Sequence, residues 1–289
     1  MSRLPDMDHL SASSAVFPSL PADRSERLPG DPSRDSLRER FQVLGVKIDA
    51  VQISEAILEM QRWIARRENG RYIAVTGMHG IIEARHNPEF QSALAEADLV
   101  VADGMPIVWI GRLRVHSMRR RVYGPELMFQ FCQQTASSGY RHYFLGGAPG
   151  VGEDLTRKLR VACPGIEVVG VHSPPFRPTS DSEDAAIIAA INRAAPDVLW
   201  LGLGTPKQEL WIRKHRAKLR VPVMIGVGAA FDFLSKRKKQ APVWMQENGL
   251  EWFFRLCQEP GRLWKRYLLG GPEFCLLLAL EKLGLVRFE

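Results

Sequence analysis

The sequence predicts an α/β fold, a Rossmann-like parallel sheet with helices on both faces, followed by a C-terminal helical appendage. Three observations carry that reading. Short runs that are apolar throughout alternate with amphipathic stretches, the pattern of strands buried on both faces beneath crossover helices. Most of these runs end in a glycine turn, as at Thr76-Gly77, Asp103-Gly104, Gly146-Gly147, Gly202-Leu-Gly204 and Gly226-Val-Gly228. After about Lys239 no strand-like run recurs, and aromatic and basic residues crowd the remaining helical segments.

The elements follow in order. A chain of 289 residues, 45% hydrophobic, can bury a sizeable core. Residues 1–38 are rich in Ser, Pro, Asp and Arg and read as a disordered leader with no signal peptide. The run Phe41-Gln-Val-Leu-Gly-Val-Lys-Ile-Asp49 adds a β-hairpin or edge strand. Strands are expected at 72–76, 99–102, 142–145, 167–171, 198–203 and 223–227. Helices are expected at 54–67, 80–97, 125–137, 150–162, 184–194 and 206–218. Residues 39–239 then form the α/β domain and 240–289 the appendage. No segment offers the roughly 20 apolar residues of a membrane span.

The net charge of +7 is unevenly placed, with runs at Arg119-Arg120-Arg121 and Lys236-Arg237-Lys238-Lys239. Recurring basic residues point to an anionic partner: substrate phosphates, anionic lipid or, ranked last, nucleic acid. Nothing resembles a nucleic-acid-reading motif. The four cysteines form no CxxC pair, so neither a disulfide framework nor a zinc knuckle is signalled, and a reducing cytoplasm fits.

In a doubly wound sheet the carboxyl ends of the strands line the ligand crevice, so the strand-end residues are the candidates for chemistry. Asp103 closes a buried strand, where it can act as a general base or cap the helix starting near Pro106. Arg121 precedes a helix and suits a diphosphate through its planar fork. Gly204, Thr205, Lys207 and Gln208 share a strand-to-helix turn that suits an anion or a sugar. His79 follows the first glycine turn and either contacts a sugar or packs. No DxD motif is present to hold a metal, and Gly147-Ala-Pro-Gly150-Val-Gly152 only approximates a dinucleotide fingerprint. In the appendage Arg255, Arg262 and Lys265 or Arg266 recur at helical spacing among Trp252, Phe253, Trp264 and Tyr267, the composition of an interfacial membrane helix. A sugar transferase, a nucleotide-cofactor oxidoreductase or methyltransferase, and a non-catalytic membrane-surface scaffold all remain open on these features.

The motifs taken together resemble the WecG/TagA/CpsF glycosyltransferase family. They are Ala102-Asp-Gly-Met-Pro106, Arg121-Val-Tyr-Gly-Pro-Glu-Leu127, Phe144-Leu-Gly-Gly147, Gly202-Leu-Gly-Thr-Pro-Lys-Gln-Glu209, Gly226-Val-Gly-Ala-Ala-Phe-Asp232 and Gly249-Leu-Glu-Trp252 through Arg262. The resemblance implies an inverting, metal-independent transferase with no cofactor, a UDP-sugar donor and an undecaprenyl-diphosphate-linked sugar acceptor. It makes Asp103 the base and Thr76, Arg121 and Gln208 pocket residues. Arg255, Arg262 and Lys265 become part of an appendage that closes over the diphosphate and docks on the inner face of the plasma membrane. It also implies self-association. Members with N-acetylmannosamine-type donors tend to carry Asn two places after the threonine, where this chain has Met78. Together with Gly104-Met-Pro-Ile-Val-Trp109, that departure resembles the exopolysaccharide branch with its xanthan-pathway glucosyltransferase, and implies UDP-glucose and a β-1,4 linkage. The alternative is UDP-N-acetylmannosamine or its uronic acid, for teichoic acid or enterobacterial antigen.

Overall fold

The computed structural model describes residues 38–288. The leader expected over residues 1–38 therefore lies outside the described residues, Arg38 excepted. The strands are β1 (Arg40–Val43), β2 (Val46–Asp49), β3 (Arg71–Thr76), β4 (Leu99–Ala102), β5 (Arg141–Gly146), β6 (Glu167–His172), β7 (Val198–Gly202) and β8 (Val223–Gly226). They form one eight-stranded sheet in the order β1-β2-β4-β3-β8-β7-β5-β6. Every pairing is parallel except the β1–β2 hairpin. The expectation of a parallel sheet thus holds for its body, and its edge is the hairpin. That hairpin turns through Leu44 and Gly45, at φ 47° and 87°, a two-residue turn whose twist matches the strands.

Alternation along each strand feeds two cores, because successive side chains point to opposite faces. Tyr72, Ala74, Val100, Ala102, Leu199 and Leu201 face one way. There they meet α2 (Met78–His86), α3 (Pro88–Ala95), α4 (Met105–Arg114), α7 (Asp181–Ala194) and α8 (Lys207–His215). Ile73, Val75, Val101, Phe144, Trp200 and Ile225 face the other way. They are covered by α1 (Ile53–Ala65), α5 (Gly124–Gln134), α6 (Val151–Ala162) and α9 (Ala230–Leu234). The single helix expected over 80–97 is two helices. Pro88 has no N–H to continue α2, and the Asn87 side chain accepts from the Phe90 N–H at 3.1 Å, capping α3 instead. The stretch 206–218 closes in a 3-10 turn at Arg216–Lys218.

After Lys239 the chain is helical: α10 (Val243–Glu247), α11 (Glu251–Gln258), α12 (Pro260–Trp264), a π-helical turn at Lys265–Leu269 and α13 (Gly270–Lys282). Phe274 of α13 is buried in the α2 side of the core, with Leu277 and Leu278 packed beside it. His86 Nε2 and Glu273 Oε1 meet at 2.6 Å across the same contact. Among the described residues no helix is long and apolar enough to cross a membrane.

One buried pair makes the fold sensitive to acid. Fully buried His142 accepts a hydrogen bond at Nδ1 from Trp200 Nε1–H at 3.1 Å, and Phe131 packs edge-on against both rings. Burial lowers the imidazole from 6.5 to about 4. The unfolded chain takes up this proton below about pH 6.5 while the folded chain does not, so stability falls as pH drops from 6.5 towards 4. The full loss is on the order of 3 kcal/mol. His142→Asn keeps an acceptor for Trp200 without titrating. In urea unfolding at stepped pH, its stability is expected to lose that much less than wild type across this window.

Candidate active site

The site begins at the ends of β3 and β4. Their parallel register pairs Thr76 with Ala102, so the next residues, Gly77 and Asp103, emerge side by side. The Asp103 N–H donates to the Thr76 carbonyl at 2.8 Å and continues the ladder one step past the strand. Gly77 and Gly104 are the N-caps of α2 and α4, so two helix N-termini open on the same rim. Above it lies a cleft of about 500 Å³. The α/β body lines the cleft with Thr76, Met78, His79, Asp103, Arg121 and Thr205. The C-terminal helices add Gln246, Glu251, Trp252, Arg255, Arg266 and Tyr267.

Asp103 does not cap the helix that follows it. The N-cap of α4 is Gly104, with no side-chain bond, whereas Asp103 Oδ1 accepts from the Gly124 N–H of α5 at 3.2 Å. Burial raises the Asp103 carboxyl above its ordinary range; Arg121 opposes the rise and Glu251 adds to it. A carboxylate with a raised pKa, held by one backbone amide at a cleft floor, is suited to take up a proton.

Arg121 reaches the cleft with its fork already filled. Nη1 donates to Glu251 Oε2 at 2.7 Å and Nη2 to Gln246 Oε1 at 2.7 Å, while the guanidinium lies 4.0 Å from the centre of the Tyr123 ring. Arg255 and Arg266 differ: neither forms an ion pair among the described residues. Arg255 stacks over Phe233 at 5.6 Å. Burial, with Arg255 and Arg262 nearby, lowers the Arg266 guanidinium. Two unpaired arginines facing one cleft favour an anion between them.

The other basic residues expected in the site lie elsewhere. Arg262 and Lys265 line a second cleft of about 410 Å³, with Glu83 and Glu273. His79 and Arg266 form the wall between the two clefts. Burial, then Arg266 and Arg255, push the His79 imidazole down to about 3, so it is neutral.

The turn after β7 divides as well. Thr205 lines the cleft, but Gly204, Lys207 and Gln208 do not. Lys207 Nζ reaches the Phe176 carbonyl at 3.5 Å. Buried Gln208 is a clamp: its Oε1 accepts from the Gly204 and Gly228 amides at 3.2 and 3.1 Å, joining the ends of β7 and β8. A Cβ on Gly226 would stand 2.5 Å from Gln208 Nε2, so the clamp needs glycine there. Glu209 accepts from Gln208 Nε2 and Thr205 Oγ1 and is pushed up to about 7 by burial. Thr76 sits beneath Gly80, where a Cβ would come 2.0 Å from its Oγ1. The Gly147–Gly152 loop packs on other elements, Gly147 near Val151 and Phe231 and Gly152 against Val171, and lies outside the cleft lining.

Sequence reasoning missed Glu251 and Gln246, placed Tyr267 on an interfacial surface rather than in the cleft, and named Arg266 only as the alternative to Lys265. Helical spacing could not separate Arg266 from Lys265, because the helix breaks at Glu259 and the chain passes through a π-helical turn at Lys265–Leu269.

Comparison with known proteins bears on this geometry. Residues 41–287 match the glycosyl transferase WecG/TagA/CpsF family. The chain belongs to that family. It is therefore a glycosyltransferase, and the oxidoreductase, methyltransferase and scaffold readings fall away. Three similar relatives carry one name, N-acetylglucosaminyldiphosphoundecaprenol N-acetyl-beta-D-mannosaminyltransferase. The protein of Bacillus spizizenii is 27% identical over 77% of this chain and 84% of its own length. That of Staphylococcus aureus strain MRSA252 is 28% identical over 84% and 93%. The Bacillus subtilis protein is 29% identical over 67% and 73%.

The Gln208 clamp gives a test of the site's frame. Gln208→Ala strips the acceptor from two partly buried amides and is expected to lower stability by about 2–4 kcal/mol, read as a fall in Tm. The equivalent loss is expected for Gly226→Ala, which displaces the same side chain.

Proposed function

We propose that the chain is an inverting hexosyltransferase that uses a UDP-sugar as donor and an undecaprenyl-diphosphate-linked sugar as acceptor. One observation carries the reading: Asp103, its carboxyl raised by burial, stands on the floor of a cleft walled by Arg255 and Arg266, which no carboxylate pairs. In this mechanism Asp103 takes the proton of the acceptor hydroxyl as its oxygen attacks the anomeric carbon. Attack opposite the departing UDP inverts that centre. The two arginines offset the charge developing on the leaving diphosphate, fixed cations being most effective where water is excluded.

The appendage over residues 240–289 serves, on this reading, to dock the enzyme on the cytoplasmic face of the membrane. Trp244, Phe253, Trp264, Leu268 and Leu269 are exposed apolar residues interleaved with Arg262 and Lys265. Such a surface suits the boundary between acyl chains and anionic headgroups.

For the donor, the names of the relatives favour UDP-N-acetylmannosamine, transferred to an N-acetylglucosaminyl acceptor. Met78 favours the second reading, UDP-glucose, because it places a thioether rather than an amide on the cleft wall. A panel of UDP-sugars with short polyprenyl-diphosphate sugars, read by product mass and linkage, separates the two.

With the productive pair, Asp103→Asn is expected to lower turnover by about 10²–10⁴-fold with UDP affinity retained. Turnover at the wild-type level would overturn the assignment. Because the base must be ionised, kcat/KM is expected to fall on the acid side, with its limb above the ordinary carboxylate range. Replacing Trp264 and Leu268 by Ser is expected to weaken co-sedimentation with anionic vesicles.

A further inference from the structure

The sequence reading assigned Arg121 to a substrate phosphate, yet the protein itself fills its fork. Glu251, the first residue of α11, has a side chain only 13% exposed, and Arg121 is 14% exposed. The Glu251 carboxylate accepts from Arg121 on one oxygen and from the Tyr123 hydroxyl on the other, at 2.7 and 3.2 Å. Arg121 is held in turn by Gln246 of α10, and its Nη1 also reaches the Asp103 carbonyl at 3.4 Å. Between α10 and α11 stands Gly249, where a Cβ would come 2.7 Å from the Trp109 ring of α4. Arg255 lies one turn beyond Glu251 on α11, and both line the cleft.

We propose that Glu251 is a positioning residue: its ion pair with Arg121 latches α10 and α11 onto the rim of β4 and so sets Arg255 over Asp103. Exposed ion pairs contribute little, but a largely buried one is costly to break, since the surviving charge keeps no partner. The pair therefore acts as a two-sided lock between residues far apart in sequence. It also fixes the charges that face Asp103, which are Arg121, Glu251 and Arg255, with the Gly124 amide on the carboxylate itself. The assignment rests on the proposed function for the reaction that is measured, but not for the latch itself.

The test uses the full chain in two measurements. Hydrogen exchange without substrate is expected to rise over residues 243–258 in Glu251→Ala and in Arg121→Ala, with the strands still protected. Kinetically, each single variant is expected to lose roughly tenfold or more in kcat/KM, and the double variant no more than the worse single. Additive losses, or unchanged exchange in Glu251→Ala, would overturn the latch. Glu251→Gln guards against simple misfolding, because the amide can still meet Arg121 and Tyr123. It is expected to keep wild-type exchange and, by removing a negative charge near Asp103, to move the acid limb of kcat/KM to lower pH. An unmoved limb would reduce Glu251 to a structural contact. Asp103→Asn separates the two readings: wild-type turnover in that variant sinks the proposed chemistry, whereas the exchange result for Glu251→Ala bears on the latch alone.

Discussion

The site depends on the register between β3 and β4. Pairing Thr76 with Ala102 brings Asp103 out beside Gly77, and the Asp103 N–H to Thr76 bond fixes its backbone there. The Gly124 amide then holds the carboxylate from the other side of the sheet. A one-residue slip would turn every side chain of β4 to the opposite face. Packing of the fully buried strand opposes that slip, and the two bonds of Asp103 then hold the acid in the place the register gives it.

Charge is distributed around this acid in an ordered way. Arg121 is nearest in the chain, but Glu251 and Gln246 satisfy it, so it tempers Asp103 without facing the cleft alone. The unpaired cations, Arg255 and Arg266, come from the C-terminal helices. The α/β body thus supplies the buried acid, and the C-terminal helices supply two cleft cations with no carboxylate partner. Neither half contains the complete constellation.

The C-terminal helices have two faces with different physics. Phe274 is buried against the α2 side of the core, as an ordinary packing residue is. Trp244, Phe253, Trp264 and Leu268 stay exposed. Aromatic composition alone did not separate these roles, because a tryptophan that packs and one left in solvent read alike in a string of letters.

Most of the architecture was legible in the sequence. Continuous apolar runs between amphipathic stretches marked β3, β4, β5, β7 and β8 to within about one residue, since burial on both faces leaves no room for alternation. The split at Asn87-Pro88 was legible too, through proline's missing donor, but periodicity alone read across it. The position of Asp103 at a strand end was likewise determined by sequence. What the tertiary structure decided was which side chains meet. It gave Arg121 a partner 130 residues away, made Gln208 a clamp, sent Arg262 and Lys265 to a second cleft, and set Arg266 in the wall between the two. Local sequence specifies backbone conformation and buried faces through short-range sterics and hydrophobic period. The pairing of charges across a cleft depends on long-range packing, which no local pattern encodes.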